Sequence, residues 1–192
     1  MNFKFSKRVL QNYTHPTKGY FESCSVYAVH SNEEIIGTFL LGANAGYIDF
    51  EQTCLRIDIS HFVFKTDKYE IVDRVSESRV GEYRIHVDLG GTMRPGTLIL
   101  NGKDYACKKL KSDVRYPPLK KSTWGHFKVK VFDKDEEVVY RLKVNVPLIN
   151  VPNTSQTPFD GEIQTNTSNL RLLFCGLFLL EQVFEIKDNQ MT

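Results

Sequence analysis

The sequence predicts a mainly β protein: a closed antiparallel β-barrel of about a dozen strands around a hydrophobic C-terminal α-helix. Three observations predict it. Apolar and polar residues alternate with period two through much of the chain. Turn signals recur about every ten residues between positions 20 and 146. A single segment near the end is apolar on every side rather than along one stripe.

The clearest strand is GEYRIHVDL, in which Tyr83, Ile85, Val87 and Leu89 share one face and Arg84, His86 and Asp88 the other. Leu55, Ile57 and Ile59 alternate with Arg56, Asp58 and Ser60 in the same way. The following HFVF breaks that phase and suggests a bulge or a change of face. Asn101-Gly102 is the favoured type I′ pair, since both residues tolerate positive φ, so the strands around it read as a hairpin. HFKVKVF and VVYRLKVNV flank the charged turn Asp133-Lys134-Asp135-Glu136-Glu137, with Val138, Tyr140, Leu142, Val144 and Val146 on one face. FESCSVYAVH and IIGTFLL flank a second such turn, Ser31-Asn32-Glu33-Glu34. Residues 147–168 are rich in Pro, Asn, Thr and Gly and read mainly as a loop, with room for a short strand near Gly161-Glu162-Ile163-Gln164.

Residues 169–187 read as one helix, capped by Ser168 or Asn169. No polar side chain occurs between Leu172 and Leu180. Such a helix is buried on all sides or lies in lipid. Its apolar stretch is about 22 Å long at 1.5 Å per residue, and a bilayer core of ~30 Å needs about 20 apolar residues. A core helix follows, with no transmembrane span. Gly176 costs about 1 kcal/mol relative to Ala in a helix, which predicts a strand packed close against the backbone there. A sheet closed around the helix satisfies it from every direction and leaves no open edge.

With 192 residues the chain is long enough for one domain and a self-sufficient core. The expected organisation is an N-terminal extension over 1–18 and one barrel domain over 19–192. The N-terminal MNFKFSKRVLQNYTHP lacks the apolar core of a secretory signal, which makes the sequons at Asn12, Asn153 and Asn166 accidental and points to the cytoplasm. Cys24, Cys54, Cys107 and Cys175 have no CxxC spacing, so they read as free thiols without a zinc site.

The order of elements, from about Tyr20 to Val146 and then LRLLFCGLFLLEQVFEI, resembles the tubby C-terminal-like superfamily: tubby-like proteins, LURP-one-related proteins and phospholipid scramblases. The resemblance is architectural and covers most of the chain beyond the first ~18 residues. A lipocalin-like barrel would carry GxW near its start, whereas the only tryptophan is Trp124. The resemblance implies a closed barrel around the terminal helix and binding of phosphoinositide headgroups by basic residues on neighbouring strands. The calcium site linked to scramblases does not transfer, because residues 157–168 contain only Asp160 and Glu162 as acids.

Charge supplies the functional clue. The chain is +2 overall, yet residues 101–130 carry Lys103, Lys108, Lys109, Lys111, Arg115, Lys120, Lys121, Lys128 and Lys130 against Asp104 and Asp113, a local +7. The expected binding residues are Lys103, Lys108, Lys109, Lys111, Arg115, Lys120 and Lys121. Each cation near an anionic membrane contributes on the order of 1 kcal/mol. The leading expectation is therefore a non-enzymatic module that docks an anionic membrane surface or an acidic protein, without cofactor or metal. The alternatives are a protein-interaction barrel and an enzyme with a site at the barrel mouth. Nucleic acid is disfavoured by the small net charge and by Phe127 facing inward with Val129 and Val131.

No catalytic set is legible. The five histidines, His15, His30, His61, His86 and His126, have neither HxH nor HExxH spacing. Cys24 and His30 on one strand are about 20 Å apart. LGGTMRPG lacks the phosphate-loop pattern and reads as turn glycines.

Overall fold

A computed structural model describes residues 1–60, 68–87, 93–110, 125–144 and 158–188. Twelve antiparallel strands form an up-and-down barrel: β1 (Asn2–His15), β2 (Gly19–Ser31), β3 (Glu34–Leu41), β4 (Ala45–Phe50), β5 (Thr53–Ser60), β6 (Lys68–Asp73), β7 (Ser78–Val87), β8 (Met93–Leu100), β9 (Lys103–Leu110), β10 (Gly125–Phe132), β11 (Glu137–Val144) and β12 (Phe159–Thr165). Each strand pairs with the next, and β1 closes the cylinder between β12 and β2. The helix α1 (Leu170–Asp188) follows.

The closing strand corrects the expected organisation. Residues 2–15 are not an extension: Asn2–Lys7 pair with β12 and Lys4–His15 with β2. The alternation that marks other strands is masked in β1 because the inward series Phe5, Lys7 includes a lysine. The short strand expected near 161–164 is β12.

Period two is realised in β5 and β11 where side chains are described; β7 shifts register between Arg84 and His86, and the side chains of Ile85, Val87, Leu89, Val144 and Val146 lie outside the described residues. Leu55 and Ile57, and Val138, Tyr140 and Leu142, are buried toward the lumen. Asn101 and Gly102 both have positive φ, 49° and 77°, which closes the β8–β9 hairpin with the turn their sequence specifies.

An eight-stranded barrel is filled by its own side chains, and the diameter grows with strand number. Twelve strands leave a lumen that needs a plug, and α1 supplies it. Leu172 to Leu180 are each at most 1% exposed, Gly176 aside. Phe174 stacks on Phe50 of β4 at 4.9 Å, and Phe178 lies between Tyr69 of β6 and Tyr83 of β7 at 5.0 and 4.3 Å. The helix thus meets the wall in several directions at once.

Two tyrosines reach the helix backbone. Tyr83 Oη donates to the Cys175 carbonyl at 2.8 Å, and Tyr140 Oη to the Leu173 carbonyl at 2.5 Å. Burial raises both phenols well above their usual pKa and raises the Cys175 thiol to about 12. Tyr140 also explains Gly176, where a Cβ would run into the Tyr140 hydroxyl. The strand expected to pack close there is β11, which reaches the helix through the Tyr140 side chain.

The one buried ion pair given by the described residues also joins helix to wall. Lys7 Nζ donates to Glu181 Oε1 at 2.6 Å and Oε2 at 2.9 Å, with both side chains at most 1% exposed. Ser25 Oγ at 3.1 Å and the Tyr27 hydroxyl also donate to Glu181. Lys7 lies over the rings of Tyr27 and Phe159. Among the described residues no buried side-chain nitrogen or oxygen lacks a partner.

Where α1 enters the lumen, Asn169 caps it by accepting from the Leu172 amide at 3.1 Å. Glu136, in the β10–β11 turn, holds this entrance. It accepts from Lys103 Nζ at 2.7 Å, Tyr105 Oη at 2.6 Å, Thr167 Oγ1 at 2.7 Å and Asn169 Nδ2 at 3.4 Å. Those donors, Lys103 first, lower its pKa to about 2. Asp133 is also at about 2: burial opposes this, and Lys103 with the amides of Glu136 and Asp135 outweighs it.

Candidate anion-docking wall

The outer wall carries its charges in two different ways. On β4 to β7 each acidic or basic side chain among the described residues has a partner. Arg56 pairs with Asp58, Arg79 with Glu70 and Glu82, Arg84 with Glu82, Asp73 with Arg171 on the helix, and Asp49 with Lys18 from the β1–β2 turn. These strands offer a ligand little that is not already engaged.

The wall from β9 through β12 and β1 to β2 is different. Inward placement of Val129, Val131, Tyr140, Leu142, Ile163 and Phe5 turns Lys128, Lys130, Arg141, Glu162 and Lys4 outward. Strand register then aligns them. Lys108 stands opposite Lys130, and Lys128 opposite Arg141. The second row continues from Arg141 to Glu162, from Glu162 to Lys4, and from Lys4 to His30. Five successive strands thus carry one ionisable residue each in a single transverse row.

Lys108, Arg141, Glu162 and Lys4 are exposed. None of the four makes an ion pair among the described residues. Lys130 pairs with Glu137 and lies over the Phe132 ring at 4.8 Å. Like charges placed directly opposite on neighbouring strands destabilise a sheet. Here Lys108 faces Lys130, whose charge Glu137 already offsets, and Arg141 faces Lys128, so the exposed Lys108 and Arg141 are the cations left for an anion.

The seven residues expected from sequence fall in four places. Lys103 is at the helix entrance, where Asp133 at 2.8 Å and Glu136 at 2.7 Å occupy it. Lys108 is on the basic wall. Lys109 lies in β9 opposite Val129, with its side chain outside the described residues. Lys111, Arg115, Lys120 and Lys121 lie outside the described residues, in the segment that connects β9 to β10. Arg141, Lys4 and Glu162 were not in the expected set. They are distant in sequence from the basic stretch and join it only through strand register.

At the β12–β1–β2 end of the row lies a groove of about 310 Å³ bordered by Asn2, Lys4, His30, Asn32, Glu162 and Gln164. Among the described residues no group of His, Cys, Asp or Glu is placed to hold a metal ion, and no helix is long and apolar enough to cross a membrane. Comparison with protein-family models, with curated proteins and with solved structures finds no match to this chain.

Proposed function

We propose that this barrel is a non-enzymatic binding module that docks an anionic phospholipid headgroup on the outer wall of β9, β10 and β11. The observation that carries the reading is the exposed outward placement of Lys108 and Arg141, without an ion pair among the described residues, in register with Lys130 and Lys128. An opposing acidic surface attracts such cations at about 1 kcal/mol each near an anionic bilayer. In sequence, the connection between β9 and β10 carries four more cations, Lys111, Arg115, Lys120 and Lys121. The β4–β7 wall, whose charges are mutually satisfied, faces away from the ligand. Kinship with the tubby C-terminal-like superfamily belongs to the same proposal, supported by twelve strands closed around a terminal helix. The protein acts from the cytoplasm as a peripheral membrane protein.

The test is co-sedimentation with vesicles of neutral phospholipid, with and without an added anionic lipid, at low and high salt. Binding is expected only to the anionic vesicles, falling steeply with salt. The triple variant Lys108→Glu, Lys128→Glu, Arg141→Glu should lose at least tenfold in affinity. Salt-insensitive binding, or an unchanged affinity in that variant, rules the reading out and favours an acidic protein partner or a scaffold role.

A further inference from the structure

The acidic residue in the middle of the basic row is the least expected member of the wall. Glu162 stands directly opposite Arg141 on one side and Lys4 on the other. It is exposed, and it pairs with neither among the described residues. On β5 and β7 the outward carboxylates Asp58 and Glu82 are engaged by arginines of their own strands, Asp58 by Arg56 and Glu82 by Arg79 and Arg84. A wall built only to attract anions gains nothing from a carboxylate at its centre, which lowers the local positive potential.

Glu162 also borders the groove that Lys4, His30, Gln164, Asn2 and Asn32 surround. That groove presents one anionic acceptor beside cationic and amide donors. Neighbouring strands are about 4.8 Å apart. Within one interstrand step, therefore, the surface changes from a phosphate-binding to an ammonium-binding character. A headgroup that carries an ammonium two carbons from its phosphodiester spans a step of that size.

We propose that the groove between β12, β1 and β2 selects amino-phospholipid headgroups, with Glu162 accepting the ligand's ammonium while Lys4 binds its phosphodiester oxygens and Arg141, beside the groove on β11, adds to the positive field. Phosphatidylserine fits best, because its carboxylate adds a second anion for the cations of the row. The inference rests on the anion-docking reading above and names the class of headgroup that the wall prefers. No bond is made or broken. Selectivity comes from one charge-assisted hydrogen bond that a ligand without an ammonium cannot make.

The experiment compares vesicles containing phosphatidylserine with vesicles containing phosphatidylglycerol at the same mole fraction. The two carry the same net charge, so general electrostatic docking does not separate them. The intact chain is expected to bind the serine vesicles at least threefold more tightly. Glu162→Gln keeps the size of the side chain and removes its charge; it should bring the ratio to about one, chiefly by strengthening binding to phosphatidylglycerol. Lys4→Met should weaken binding to both. Equal binding of the two vesicle types by the intact chain, or a preference that survives Glu162→Gln, overturns this inference and leaves the docking reading in place. Failure to bind either vesicle overturns both.

Discussion

Lys7 and Lys108 belong to the same cylinder and have opposite surroundings. Lys7 points into the lumen, at most 1% exposed, with Glu181 on its ammonium and two aromatic rings beneath it. Lys108 points outward, opposite another lysine. Inside, the desolvation cost of a charge is met by a partner and by hydrogen bonds on its remaining lone pairs. Outside, water screens the charge, and a repulsive arrangement survives at little cost. Charges in the lumen therefore report on stability, and charges on the seam wall are free to report on binding.

Substitutions can break that contrast, and the largest effect is expected in the lumen. Lys7→Met leaves Glu181 buried without its cation and should cost about 3–5 kcal/mol, read by denaturant unfolding. Replacing both partners with Met should recover most of the loss, because a matched apolar pair needs no compensation. If the single and double variants are equally unstable, the pair is not what holds helix to wall.

Gly176→Ala comes next. It gains up to about 1 kcal/mol in helix propensity, but the new methyl collides with the Tyr140 hydroxyl and breaks its bond to the Leu173 carbonyl. Overpacking of this kind costs about 1–3 kcal/mol, so the net effect is expected to be destabilising by thermal melt. Gly176→Ala combined with Tyr140→Phe should be the milder change if the hydroxyl is the obstacle.

At the lumen entrance, Glu136→Gln should cost about 1 kcal/mol, allowing for partial exposure. The pH dependence is the sharper readout. The folded-state pKa values of Glu136 and Asp133 are depressed to about 2. Their contribution is therefore complete above the unfolded carboxylate range and is lost as pH falls through that range toward about 2. Melting curves below about pH 4.5 should be flatter for Glu136→Gln than for the intact chain.

The smallest effect has the opposite sign. Lys108→Glu places a carboxylate opposite Lys130, so stability should rise by about 0.2–1 kcal/mol while vesicle binding falls. A stability loss here would mean that Lys108 has a packing role, and the inside–outside contrast would weaken.

Much of this fold is legible in the residues themselves. Alternation marks β5, β10 and β11 because their inward residues are all apolar, and the helix from Leu172 to Leu180 announces a core because no face of it is polar. The first strand is hidden by the same lysine that makes it interesting. A buried cation at an inward position breaks the pattern, and its partner lies 174 residues away. The candidate site was half legible. A run of lysines is visible along the chain, but Arg141, Glu162 and Lys4 enter the row through pairing across strands. Lys103 looks like its neighbours in sequence, and only the turn bearing Asp133 and Glu136 gives it a different task.

The strand that closes the cylinder leaves the ribosome before the other eleven, and the segment that fills it follows all twelve. Until residues 170–181 emerge, the inward aromatic and aliphatic side chains of twelve strands have nothing to rest on. While those strands are being made the sleeve has no filling and its pairings of longest sequence separation are still to come, and slow, chaperone-assisted maturation is the physical consequence.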